Sequence, residues 1–204
     1  MSIPAESANS IVLDDATADL LFREARTANT FTEESVSKEQ IEAIYDLVKW
    51  GPTAFNAQTL RVVIVQSPEA KARLIEHLGD ANKAKTASAP LVAILAADTD
   101  FHENIERVLP NFPQAKNFFL EYETREAFAK AQAWLQAGYF IIGVRAAGLA
   151  AGPMTGFNAA GVDADLLAGT TLKSIAVINI GHPGADAWFG RNPRLSHDEV
   201  VTSL

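Results

Sequence analysis

Apolar and polar positions follow two rhythms along this chain. A helical rhythm runs over Leu13–Ala28, with apolar residues at Leu13, Ala16, Leu20, Leu21 and Ala25. It returns over Ser37–Trp50 at Ile41, Ile44, Tyr45 and Val48. There Ser37 and Gln40 have the spacing of a capping box, and Gly51-Pro52 stops the helix. Arg61–Gln66 (RVVIVQ) is β-branched and predicts a buried strand. Ser67 and Pro68 then open a helix that reaches Leu78. Leu91–Ala97 (LVAILAA) and Ser174–Ile180 (SIAVINI) predict two further strands. Between these strands, Asp98–Thr124 is polar and aromatic with Pro110 and Pro113, and reads as a mobile cover segment with short helices. The longest helix is expected over Arg125–Leu149. From Ala133 onward it is apolar nearly all round, interrupted by Gln136 and Arg145. A membrane span needs roughly 20 apolar residues, so a helix buried on all sides is the expectation. Ala129, Ala133 and Ala137 either admit a closely packed helix, across a dimer axis for instance, or reflect helix propensity alone.

Two helices followed by strand–helix–strand–helix–strand suit an α+β or three-layer domain better than a regular Rossmann alternation. At 204 residues one domain over 1–204 is expected, with residues 1–12 as a loose N-terminal arm. The start of the chain lacks a basic region followed by a long apolar one. No signal peptide is therefore expected, and the default location is cytoplasmic. Net charge is −8, and no basic stripe for a nucleic acid is visible. No membrane partner is expected either. With no cysteine, thiol nucleophiles, disulfides and Cys-ligated metals are ruled out. His77, His102, His182 and His197 are far apart and lack the HExxH spacing, so no metal site is expected. There is no GxGxxG after a strand, no P-loop and no GxSxG.

What remains is a set of short neutral or cationic segments. Trp50–Arg61 (WGPTAFNAQTLR) and Gly148–Phe157 (GLAAGPMTGF) each follow an apolar helical run, and neither carries an acid, a histidine or a cysteine. Such loops suit a flat cofactor that supplies the reactive atom itself. Pro52, Thr53, Ala54 and Asn56 form a rigid loop entry. Pro153, Met154, Thr155 and Gly156 offer a flat apolar seat and a close backbone approach, or a plain helix-to-helix turn. Arg26, Thr27 and Asn29 follow the first helix; the guanidinium either grips a phosphate or complements the helix macrodipole. Asn82 and Lys85 lie one helical turn apart, and Arg191 and Arg194 add cations in the tail.

In order and spacing these segments resemble the FMN-dependent nitroreductase family from about Asp19 onward. The phrases KWGPTAFNAQ, AGPMTGF, GTTLKSIAVINIG and PRLS are most similar to its branch that reduces malonic semialdehyde in pyrimidine degradation. The resemblance implies a three-layer α/β/α fold with a mostly antiparallel central sheet flanked by helices. It also implies an intertwined homodimer with FMN held at the subunit interface. By position, Arg26, Thr27, Asn29, Asn82, Lys85, Arg191, Arg194 and the Pro153–Gly156 segment would grip FMN from one chain. Pro52, Thr53, Ala54 and Asn56 would come from the other. The chain departs from the family pattern at Asn29, where a basic residue is common, at Thr53-Ala54 for Ser-Ser, at Thr155 for Glu and at Asn192 for Lys; Arg191 compensates the last. The implied reaction is ping-pong: NADH or NADPH passes hydride to flavin N5, and an acceptor then takes it. The acceptor is 3-oxopropanoate, or a nitroaromatic or quinone, and an acidic acceptor would favour a spare cation near the flavin at Arg61, Arg107 or Arg145. No side chain is required as a general acid, and the catalytic residues are unassigned. A flavin-binding protein without turnover and a cofactor-free interaction domain are the competing readings.

Overall fold

The computed structural model describes residues 11–204, so most of the expected N-terminal arm lies outside the described residues. Four strands form one sheet: β1 (Leu60–Val65), β2 (Leu91–Asp98), β3 (Ala150–Met154) and β4 (Leu172–Gly181). Their order is β1-β2-β4-β3, and every pairing is antiparallel. Strand β2 explains the layering. Leu91, Ala93, Leu95 and Ala97 face one core, which Ile44 of α2 (Lys38–Val48) and Phe140 of α6 (Tyr122–Ala146) share. Val92, Ile94 and Ala96 face a second core with Leu74 of α3 (Pro68–Glu76) and Val162 of α7 (Ala159–Asp165). Alternation on a sheet covered on both faces makes three layers, and each fully buried Ile or Leu contributes about 1.5–3 kcal/mol. Among the described residues no helix is long and apolar enough to cross a membrane.

Local signals were obeyed where they were local. Ser37 accepts from Gln40 N at 3.2 Å and Gln40 Oε1 accepts from Ser37 N at 2.9 Å, closing the capping box of α2. Ser67 accepts from Ala70 N at 3.1 Å and so caps α3.

Four expectations are corrected. First, Pro153–Gly156 is not the helix-to-helix turn that was one of its two readings. Ala150–Met154 is an edge strand held by β4, and tertiary pairing overrides a Gly-Pro content that argues against strand. Second, the first helix stops early. Helix α1 (Asp15–Ala18) passes into a π turn over Asp19–Arg23, where Glu24 N donates to Asp19 O at 2.9 Å. Third, α6 is not buried all round: Trp134 is 46% exposed and Leu135 43%. Its alanine stripe faces the sheet, with Thr59 Oγ1 donating to Ala129 O at 2.8 Å, so these alanines admit strands rather than a helix. The close helix contact is made by Gly143, where an added Cβ would overlap Val48 of α2.

Fourth, the 98–124 segment is packed, not loose. It carries turns Phe101–Asn104 and Pro113–Phe119 with α5 (Ile105–Val108) between them. Phe101, Phe119 and Phe128 form an aromatic cluster with centroids 4.6–5.3 Å apart. Arg125 pins the segment by pairing with Asp100 at 3.2 Å and donating to Phe119 O at 3.3 Å.

Candidate functional site

Beyond the π turn the chain runs along the outer edge of β3. Ala28 N donates to Ala151 O at 3.1 Å, and Asn29 N donates to Ala187 O at 3.0 Å. Gly152 permits this approach, since a Cβ there would stand 2.8 Å from Ala28 O. The result is a cavity of about 230 Å³ lined by Arg26, Thr27, Asn29, Arg191 and Arg194, with Phe189 and Gly190 between them. Arg26 thus shares one pocket with Arg191 and Arg194 from the far end of the chain. Glu24 is the carboxylate among them, 3.1 Å from Arg26 and 3.6 Å from Arg191. Those two guanidinium groups hold its carboxyl below the usual carboxylate range, Arg26 first. Three cations against one carboxylate leave the pocket positive, which suits an anion.

The same sheet edge continues into Pro153–Gly156. Among the described residues neither Thr155 nor Gly156 donates its N–H to a backbone carbonyl, and both are exposed. Within that set they are unpaired donors just past the end of an edge strand. Asn82, in the first turn of α4 (Asp80–Ser88), lies against them. Its Nδ2 donates to Gly156 O at 3.0 Å, and Gly79 N reaches the same oxygen at 2.9 Å. Asn82 therefore fixes the Gly156 backbone. Lys85 lies three residues further along the same helix, half-buried. The Met154 side chain does not form the expected flat seat: it is 7% exposed and turns into the core, where Thr86 Oγ1 lies 3.8 Å from its sulfur. Strand alternation places Pro153 and Met154 on opposite faces, which residue type alone does not reveal.

Pro52, Thr53, Ala54 and Asn56 lie elsewhere. They precede β1, at the opposite edge from β3. Leu60 and Met154 are separated by three inter-strand spacings, roughly 14 Å across the sheet, and roughly 13 Å along it. One chain does not bring this loop and the β3 edge to one small ligand. The loop is rigid and strained: Phe55, Asn56 and Gln58 have φ of 57°, 48° and 46°. Non-glycine residues hold such angles only when neighbours enforce them. Ala54 N donates to Gln132 Oε1 at 2.9 Å, Asn56 Nδ2 to Val108 O at 2.7 Å, and Gln58 N to Thr53 Oγ1 at 3.3 Å. The Thr53 hydroxyl and the Asn56 amide thus brace the loop.

A larger cavity, of about 550 Å³, lies beside this loop and brings together Arg61 and Arg107, two of the three candidate substrate cations; its apolar wall has no signal in the sequence. Ile41, Tyr45, Val48 and Phe140 line its apolar side, and Lys49, Arg61 and Arg107 its cationic side. Arg61 pairs with Asp98 at 2.6 Å and donates to Gln58 O at 2.7 Å, so it is held in place. Glu24 and Asn82 as braces were also missed; no motif marks either, because their partners come from distant segments.

Comparisons with known proteins identify the family. The model of the nitroreductase family matches residues 22–182. A Streptomyces griseus protein provisionally named an NADH dehydrogenase/NAD(P)H nitroreductase is 62% identical over 196 residues, covering 96% of this chain and all of that one. A Streptomyces coelicolor protein of the same description is 59% identical over the same shares. Among solved structures, a provisionally named nitroreductase from Exiguobacterium sibiricum in complex with FMN superposes with a TM-score of 0.82 at 15% identity, covering 96% of this chain and 99% of that one. A Bacillus subtilis structure, also named as a nitroreductase, gives 0.80 at 22% identity, covering 93% and 99%. These two share the fold. The chain belongs to the nitroreductase family.

Proposed function

We propose that this chain is one nitroreductase-like domain over 1–204, and that it works in the cytoplasm as an FMN-dependent NAD(P)H oxidoreductase. The observation that carries the reading is the β3 edge, which has an arginine-lined pocket beside it and, just past its end, two backbone N–H groups without a partner among the described residues. A phosphate dianion fits Arg26, Arg191 and Arg194, whose forked donors match its oxygens. A flat heterocycle's electron-rich edge fits the free N–H groups of Thr155 and Gly156. The names of the Streptomyces relatives support NADH or NADPH as reductant, and the Exiguobacterium complex supports FMN. When bound, the flavin supplies the hydride-accepting centre that connects the pyridine nucleotide to the acceptor. The chain's own residues position it. Arginines anchor the anionic end, Asn82 holds Gly156 in register, and the two amides stabilise charge that develops at the ring edge. Lys85, Thr27 and Asn29 complete the rim.

The second half of the site is the Pro52–Asn56 loop of another copy, because the two edges of one sheet are too far apart. Trp50 is 80% exposed, and Tyr45, Trp134 and Leu135 are exposed as well; large apolar side chains left in water suit contact with a second copy. The tail from Trp188 carries exposed Phe189, Leu195, Val200 and Val201, which suits an intertwined homodimer.

For the acceptor, the cavity next to the loop favours a small carboxylate such as 3-oxopropanoate, reduced to 3-hydroxypropanoate, with Arg61 and Arg107 as counter-charges. A second reading, a nitroarene or quinone, is favoured by the apolar wall of Ile41, Tyr45, Val48 and Phe140. Steady-state turnover with 3-oxopropanoate, a quinone and a nitroarene, each with NADH and NADPH, decides among them. The proposal expects the highest kcat/KM for 3-oxopropanoate. Bleaching by NAD(P)H with no turnover of any acceptor would leave a binding protein instead.

A further inference from the structure

Arg145 stands in the last turn of α6, on a helix whose neighbours are apolar, and is only 9% exposed. Its Nε donates to Leu20 O at 2.7 Å. The need for that bond follows from the π turn. Glu24 N reaches back to Asp19 rather than to Leu20, so the Leu20 carbonyl loses its usual partner within the helix. Arg145 fills the vacancy and so fixes where the chain leaves the turn, two residues before Arg26. The guanidinium makes no ion pair of its own among the described residues. Burial lowers its pKa first, nearby Arg191 lowers it further, and Glu24 opposes the shift. A buried, unbalanced cation is costly unless a counter-charge arrives.

We propose that Arg145 is a positioning residue for the cofactor's anionic end: it holds the turn that aims Arg26 and Thr27 into the 230 Å³ pocket, and it adds a buried positive charge behind that pocket for an incoming phosphate to balance. The inference rests on the FMN reading. Riboflavin separates the two, because it carries the same ring without the phosphate.

The test is equilibrium binding of FMN and of riboflavin to flavin-free full-length protein, for wild type, Arg145→Gln and Arg145→Lys, read by flavin fluorescence. Wild type prefers FMN. Arg145→Gln weakens FMN by about tenfold or more while riboflavin changes by less than about twofold, so the preference collapses. Arg145→Lys, which restores the charge, recovers most of it. Equal weakening of both ligands makes Arg145 a fold-stabilising residue only and overturns the proposal, as does no change in either. Where Arg145→Gln fails to fold, Arg145→Lys decides: a preference near that of wild type supports the proposal, and a preference lost as fully as the charge-free case predicts refutes it. A wild type that binds neither flavin overturns the FMN reading itself; one that binds both equally removes the phosphate from this pocket.

Discussion

Replacing Gly152 by alanine tests whether the Ala25–Asn29 segment must lie flush on β3 for the site to exist. The added Cβ would stand 2.8 Å from Ala28 O, 3.4 Å from Asn179 Cβ and 3.5 Å from Phe31 Cζ. Ala28 is fully buried, so relief has two routes. The strand tolerates the overlap at an overpacking cost of about 1–3 kcal/mol. Alternatively the segment lifts, loses the 3.1 Å bond from Ala28 N to Ala151 O, and forfeits about 1 kcal/mol for that bond plus the burial of Ala28. Either route lowers the melting temperature by roughly 2–4 °C per kcal/mol in a chain of this size. Lifting also withdraws Arg26, Thr27 and Asn29 from the pocket, so FMN affinity falls by about tenfold, equivalent to ~1.4 kcal/mol. The assay is thermal unfolding with and without FMN, together with fluorescence titration. A Gly152→Ala protein with wild-type melting temperature and wild-type FMN affinity would refute the reasoning.

Arg194→Ala removes one of the three pocket guanidinium groups, and its loss is expected to weaken FMN by about tenfold with little change in apoprotein melting, because the side chain is exposed; equal FMN retention by mutant and wild type after desalting contradicts this. Leu135→Asp on the exposed face of α6 is expected to yield a monomer that binds no flavin; a flavin-loaded monomer by light scattering sinks the shared site. His102 is buried against Arg125, and burial first, then that charge, lowers its pKa below the usual histidine value. The folded form therefore favours the neutral ring. The stability this contributes is fully present above the unfolded pKa, about 6.5, and is lost as pH falls below it toward the folded value. The melting-temperature advantage of wild type over His102→Leu should shrink between pH 8 and pH 5.5 (roughly the histidine range); a constant gap would show that the ring's charge is irrelevant.

The legible parts of the fold were those encoded locally. Ser37 with Gln40, and Ser67 with Pro68, announced two helix starts because capping is a short-range hydrogen bond. LVAILAA announced β2 because a strand buried on both faces has no polar alternation to mislead. Strand β3 was hidden because its five residues include Gly152 and Pro153 and no β-branched side chain; only pairing with β4 makes it a strand. The π turn was hidden because apolar spacing at Leu20 and Leu21 does not distinguish a five-residue hydrogen-bond step from a four-residue one. In the candidate site, residue types were legible but their arrangement was not. Arg26, Arg191 and Arg194 meet only through the packing of β3 against two flanking segments. Met154 turns inward for a reason of strand register, and Asn82 serves Gly156 rather than facing open space. Arg145 reads as an interruption in an apolar helix or a spare cation for an acidic acceptor, since nothing in the chain order links it to Leu20.

The proposed flavin site needs two copies of this chain to complete it. Size-exclusion chromatography with light scattering and simultaneous flavin absorbance measures that directly. The yellow absorbance should elute with a species of twice the chain mass, near one FMN per chain. Flavin travelling with the monomer, or a dimer that stays colourless in excess FMN, would contradict it.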